Sequence, residues 1–469
     1  MSLARTVFWF TTAGLLLVVP WLFGGMSEFA YHWIITSGWV CAGCLAIWLW
    51  NCGKLHPRPD TGFWVAVVCW SLLGIQVWIS IGNPSHSLLA PWTTKYLTYE
   101  AVEHNGWLPS SAFWGGTEYT GRLYLGIGLI ALASYALGME RHRFRQLMGL
   151  FVLNATVLAM IGIPFKFSGE RLILGKWEFS EWYFYSTFYY HNHWAAFVLL
   201  ALGAAGSLFV AKSGAVSRAL LLAAMAVMGI SVVVAKTRLG VLTVLVFAIL
   251  FAWFLAKNRI LKSAGQVWGW LAAAAVLLVA GTVGASNWSK EQGASSDGRQ
   301  WESLMQQNPF TARYLLLLDT LPMVAKKPVF GWGLGAYGAA FQEFQRPETI
   351  TLHNDIPTRY SHPHNDWLEW LAEFGAVGCL LLWAPSIFWL LKGKPISRFA
   401  GSAGPLMISW GILILFAFGD MAFRNAAVLV GFLSLVGLRL SSSNDPTGPI
   451  EQKKGLQRNR PKGRHVSEK

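Results

Sequence analysis

HNHWAAFVLLALGAAGSLFVAKSGAVSRALLLAAMAVMGISVVVAKTRLGVLTVLVFAILFAWFLAKNR, residues 191–259, is the stretch that decides the fold. It holds three apolar runs, 192–210, 219–235 and 239–256, parted by short turns that carry Lys212 and Arg218, then Lys236 and Arg238. Each run is close to the ~20 apolar residues with which an α-helix crosses a bilayer core. Within hydrocarbon the chain must satisfy its own backbone groups, so runs of this length are expected to be helices.

Working outward, comparable runs lie near 6–25, 31–50, 62–82, 122–138, 147–165, 264–285, 375–391, 403–419 and 424–440. The expected fold is an all-α polytopic membrane protein of about 12 transmembrane helices, with a large loop between the ninth and tenth. Residues 1–285 would hold nine spans and two shorter outer loops, 286–374 a loop domain, and 375–440 three further spans. The polar, basic tail 441–469 is expected to be disordered. Arg5 ahead of an apolar run without a small-x-small cleavage site reads as an uncleaved signal anchor.

Composition excludes the soluble classes. Of 469 residues 54% are hydrophobic and 13% charged, against about 25% charged in soluble domains. Cys41, Cys44, Cys52, Cys69 and Cys379 all fall in spans or near one membrane end, so the long loops carry no disulfide framework. The CAGC at 41–44 reads as packing inside an apolar helix.

A net charge of +14 would suit nucleic acid, but its distribution speaks otherwise. One alternating set of connections, with Arg141, Arg143, Arg145, Lys257, Arg259, Arg439 and the tail among its members, sums to +17, and the other set to −3. By the positive-inside rule the first set, with both termini, is cytoplasmic, and the loops 83–121, 166–191 and 286–374 lie on the opposite face. Membrane lipid, not nucleic acid, is the expected surround, and the chemistry is expected in the outer loops.

The most polar cluster there is RYSHPHNDWLEWLAEFGAVG, 359–378. Asp366 and Glu369 have the spacing of an N-cap and its N3 partner, so a helix is expected to start here and run into the tenth span. His362, His364 and Asn365 would then sit at a helix N-terminus, whose free amides suit a phosphate. Glu369 has a capping role on this reading, and Glu373 shares its face. His364, beside a second histidine in a region poor in polar groups, is the candidate for proton transfer. Upstream, the glycines of FGWGLGAYGAAF (330–341), Gly333 and Gly335 among them, either bring backbone amides to an anion or let the chain pack tightly. Arg313 opens an apolar helix, Arg238 with Lys236 sits in the turn KTRLG, and His191 and Asn192 begin the sixth span. Such cations at a membrane surface either snorkel or hold an anionic ligand. No HExxH or DxD spacing points to a metal site.

HNHWAAF (191–197), the turn arginine Arg238, the helix led by Arg313, the PxxGxGxGxxxxxF run from Pro328 to Phe341 and HPHNDWLEWLAEFGAVG (362–378), in that order, resemble the O-antigen ligase and polymerase superfamily. The resemblance covers residues 185–380. It implies a glycosyltransferase of the bacterial inner membrane that moves a glycan from undecaprenyl diphosphate to a hydroxyl of a lipid core, another glycan or a protein. Transfer would occur at the periplasmic face, with no metal or other cofactor. His364 would take the acceptor's proton, with His362 a second candidate, and Arg238 and Arg313 would hold the diphosphate. Asn365, Lys236, His191, Asn192, Gly333 and Gly335 complete the expected substrate-binding set. Ligase is the leading reading and polymerase the alternative. A transporter or flippase of lipid-linked saccharides, from another class, would need paired charges or broken helices near the midplane.

Overall fold

The computed structural model describes residues 3–52, 59–89, 98–168, 172–174, 176–178, 183–211, 214–260, 309–346, 352–353, 356–357, 360–391 and 402–442. The helices are α1 (Leu3–Val18), α2 (Glu28–Trp50), α3 (Thr61–Gly82), α4 (Trp114–Leu137), α5 (Arg141–Phe167), α6 (His191–Ala211), α7 (Ala215–Val234), α8 (Arg238–Lys257), α9 (Pro309–Lys326), α10 (Tyr337–Ala340), α11 (Asp366–Leu391), α12 (Gly404–Phe416) and α13 (Ala426–Ser442). Among the described residues nine helices are long and apolar enough to cross a membrane, and α12 and α13 are shorter apolar helices. The chain is an all-α polytopic membrane protein. Eleven of the twelve expected runs are thus helical; the ninth, 264–285, lies outside the described residues, as do 286–308 of the large loop and 443–469 of the tail. Among the described residues strand is confined to short two-residue and four-residue hairpin arms, such as β1 (His86–Leu89) with β2 (Thr98–Ala101).

Polar side chains mark where the helices begin. Ser27 accepts from Ala30 N at 3.2 Å, Asp60 from Phe63 N at 2.9 Å and Thr237 from Gly240 N at 3.0 Å, each satisfying an amide that the first turn leaves open. Helix α6 is the axis of the bundle: 89% of its apolar window is buried, against 17% for α3. Small residues allow that centrality. Gly203 lies against Ser409 and Leu406 of α12, where a methyl group would collide with the serine side chain, and such small-residue contacts are how membrane helices approach closely.

At the end of the bundle opposite Arg141, Arg143 and Arg439, a second apolar cluster forms a cap. It unites Ala112, Leu316, Met323, Trp332, Ala336, Tyr337, Phe341, Tyr360 and Ala372. The cap is stitched to α11 at a break in that helix. Gly375 has φ 66°, and around it Ala376 N donates to Pro328 O (2.8 Å), Val377 N to Val329 O (3.0 Å), Trp332 N to Ala372 O (2.9 Å) and Gly333 N to Glu373 O (3.0 Å). Gln76 of α3 donates to Phe374 O at 2.8 Å and Phe330 O at 3.2 Å. The segment 328–333 therefore supplies the hydrogen bonds that the broken helix lost. A side chain at Gly375 would meet the Val329 carbonyl as well as the positive φ. Gly375→Ala is expected to cost more than ~1 kcal/mol, read as a lower melting temperature of the detergent-purified protein; an unchanged value would remove the break from the fold's requirements.

Candidate functional site

The site assembles where α6, the α7–α8 turn, α9, the start of α11 and the α12–α13 loop meet. Its centre is Asp420, in the loop FGDMAFRN (418–425) between two apolar helices. The side chain is fully buried and accepts from Tyr190 OH (3.0 Å), Arg313 Nη2 (2.8 Å), the Met421 amide (2.8 Å) and Asn192 Nδ2. His364 Nδ1 lies 3.4 Å from Oδ1, the oxygen that the Met421 amide also meets. Burial acts to raise the Asp420 pKa, but the His364 ring, the Arg313 guanidinium and the Met421 amide outweigh it and hold the carboxyl well below the usual carboxylate range.

Local structure explains how each group arrives. Asn192 stands in the first turn of α6 and is clamped on three sides, giving its amide to Asp420 and Tyr190 OH while its carbonyl accepts from Thr237 Oγ1. His191 Nδ1 lies 3.1 Å from Ala235 O. Those two contacts tie the α7–α8 turn to the site and bring Lys236 and Arg238 with it. Both are exposed, and Lys236 has φ 58°. Arg238 has no ion-pair or hydrogen-bond partner among the described residues, whereas Arg313 spends Nη1 on Gly419 O (2.7 Å) and Nη2 on Asp420. Burial, then the Asp420 charge, raise the Tyr190 pKa well above the usual phenol value, so its hydroxyl stays a donor.

His364 has φ 54°, a left-handed conformation that few non-glycine residues adopt. It falls between Pro363 and the helix start, and turns the ring toward Asp420. With Nδ1 facing a carboxylate, the tautomer with hydrogen on Nδ1 is favoured and Nε2 keeps its lone pair. Nε2 makes no hydrogen bond among the described residues, and the side chain is 15% exposed.

Beside it lies a second charge cluster. Glu369 Oε1 is 2.8 Å from His362 Nδ1 and 3.3 Å from Arg424 Nε. Arg424 Nη1 reaches Glu373 Oε2 at 3.1 Å. Both carboxylates are buried.

Several expectations change. The helix starts where the sequence placed it, but Asn365 is the cap, with Oδ1 accepting from Leu368 N at 3.0 Å. Its Nδ2 donates to Phe418 O at 3.0 Å, so both ends of that amide are engaged in the fold. Asp366 instead accepts from Phe423 N at 2.8 Å, and Glu369 caps nothing because His362 and Arg424 claim its carboxylate. The phosphate reading of this N-terminus loses its support: Asp366 N is bonded to Ala417 O, and two carboxylates stand in the first turn. The glycines follow the packing alternative. Gly333 N donates to Glu373 O, and Glu373's carboxylate also accepts from the backbone of Gly335 and Tyr337, leaving neither glycine amide for an anion.

The structure brings His364, Arg313, Asn192 and His191 together, and Lys236 and Arg238 stand on the turn that His191 and Asn192 hold. Asp420, Arg424, Tyr190 and Thr237 were missed. Two opposite charges within a short connection between apolar runs were the available signal, because charge at a membrane helix end is costly and kept for a purpose.

The fold and this cluster define a polytopic membrane protein with a histidine–carboxylate–arginine site at one end of its bundle. Residues 223–383, about a third of the chain, match the family model described as O-Antigen ligase. The match supports the O-antigen ligase superfamily, to which the motifs pointed, and with it a ligase-type membrane enzyme whose partners are a lipid-linked glycan and an acceptor. A comparison with curated proteins gave no match.

Proposed function

We propose that the protein transfers a glycan from undecaprenyl diphosphate to an acceptor hydroxyl at the periplasmic face of the inner membrane, as an O-antigen ligase-like enzyme that needs no metal. The observation that carries this reading is the orientation of His364 by buried Asp420, with Nε2 left open. Nε2 takes the acceptor's hydroxyl proton as the oxygen forms its bond to the anomeric carbon. The bond from that carbon to the diphosphate oxygen breaks, and its electron pair leaves with the diphosphate. Arg238 and Lys236 on the turn, with Arg313 behind them, offset the charge that develops there. Arg313 already serves Asp420, so the exposed turn cations make the first contact and Arg313 fixes the base.

Charge supports the periplasmic assignment, since the site lies at the end opposite the arginine-rich connections. The transporter reading finds one of its marks, the break at Gly375. The backbone groups freed there are taken by Pro328, Val329 and Gln76, which favours a structural seam over an ion site. Purified full-length protein in vesicles with lipid-linked donor and acceptor-bearing host membranes is expected to release undecaprenyl diphosphate in step with product, at the same rate with EDTA present. Movement of intact donor across the vesicle without a new glycosidic bond would sink the reading, and loss of rate in EDTA would sink its metal-free part.

A further inference from the structure

Two histidine–carboxylate–arginine units stand on either side of Pro363. In one, His364 faces Asp420, which is paired with Arg313 at 2.8 Å. In the other, His362 Nδ1 lies 2.8 Å from Glu369 Oε1, which is paired with Arg424 at 3.3 Å. The transfer chemistry uses the first and leaves the second, more closely bonded unit unexplained. We propose that His362, held by Glu369 and Arg424, is a positioning residue for the acceptor, and hydrogen-bonds a saccharide hydroxyl next to the one that reacts. The proposal rests on the transfer reading above.

Three observations support it. First, the carboxylate at Nδ1 fixes the ring and its tautomer, as a carboxylate does for a metal-bound or catalytic histidine. Nε2 is left as an acceptor with no partner among the described residues, on a side chain 27% exposed. A lone pair presented in this way suits the O–H of a sugar.

Second, the charges divide the site. Beside His362 the Glu369 carboxylate shares the single guanidinium of Arg424 with Glu373. Arg424 is already committed to two carboxylates and leaves no cation for a diphosphate there, whereas a neutral polyol needs none. The cations suited to the diphosphate lie on the other side, at Arg313 and the α7–α8 turn.

Third, the two units are built on different layers. Asp420 is held by residues of α6 and the segment leading into it, close to where a lipid carrier's headgroup would lie. The His362 unit is joined to the cap: Tyr337 N bonds Glu373, and Gly338 packs so closely on Ser361 that an added Cβ would stand 3.0 Å from the serine Cα. A polar acceptor approaching from the aqueous side meets this layer first.

The test uses full-length protein in vesicles, with host lipid-linked donor held at saturation and acceptor-bearing host extract titrated. His362→Ala is expected to raise the half-saturating amount of acceptor about tenfold, the equivalent of one ~1.4 kcal/mol hydrogen bond, with little change in maximal rate. His362→Gln, which keeps a hydrogen-bonding end group, is expected to recover most of that loss, and carries the test if the alanine variant does not fold. Binding of undecaprenyl diphosphate is expected to be unchanged in both. A fall in maximal rate with unchanged half-saturation, or loss of undecaprenyl diphosphate binding, overturns the assignment. Wild-type saturation in His362→Ala overturns it alone, while a wild-type protein that makes no product overturns the transfer reading and this proposal together.

Discussion

His364→Asn is expected to lower the transfer rate by about 10²–10⁴-fold, the range that a positioned general base contributes, while undecaprenyl diphosphate still binds. Asparagine is the informative substitution because residue 364 has φ 54°. Asn tolerates that left-handed conformation, whereas Ala would add a backbone penalty of roughly 1 kcal/mol or more. The Asn amide can also donate toward Asp420, so the loop keeps its anchor and only the base is lost. Steady-state rates across pH, with binding measured separately, check both parts. A variant that transfers at close to the wild-type rate removes His364 from the chemistry.

The membrane fold was legible because its cause is local. An apolar run of about 20 residues has few alternatives in lipid, and the runs read at 192–210 and 239–256 are α6 and α8. The site was legible only in part. His364 and Arg313 stood out as polar residues in apolar surroundings, yet what each does depends on Asp420, 56 residues beyond one and 107 beyond the other. No spacing rule reaches that far. Glu369 shows the opposite failure: three residues after Asp366 it matches a capping box, but Arg424, reaching it from a different loop, offers a full charge where a cap offers one amide. A strong non-local partner outbid a weak local one. For the glycines of 331–335 the sequence left anion binding and packing open, because both need the same absence of a side chain; the positions of α11 against Gly331, of Ser111 against Gly333 and of Thr120 against Gly335 decide for packing.

Asp420→Asn is expected to lower the transfer rate by at least about 10²-fold although its side chain is fully buried, and to destabilise the site end of the bundle. The carboxylate accepts from Tyr190, Asn192, Arg313 and the Met421 amide and faces His364. An amide has one acceptor oxygen in place of two and adds an N–H that opposes these donors. Arg313, 28% exposed, then loses its counter-ion but not its water, so the loss is expected below the ~3–5 kcal/mol of a fully buried pair. His364 loses the group that fixes its tautomer; where a buried aspartate orients a catalytic histidine, that exchange costs about 10⁴ in rate. The sign of the pH dependence follows from the depressed pKa. Asp420's contribution to stability is fully present above the unfolded value of about 3.9 and is lost only as pH falls through the lower folded value. Loss of stability of the wild-type protein between about pH 4 and 6 must therefore come from other groups. Melting curves at pH 5 and pH 8, beside transfer rates, test this: Asp420→Asn should be less stable than wild type at both. A difference that vanishes at pH 5 would mean that the carboxyl is already protonated there and that Asp420 does not hold His364 by charge.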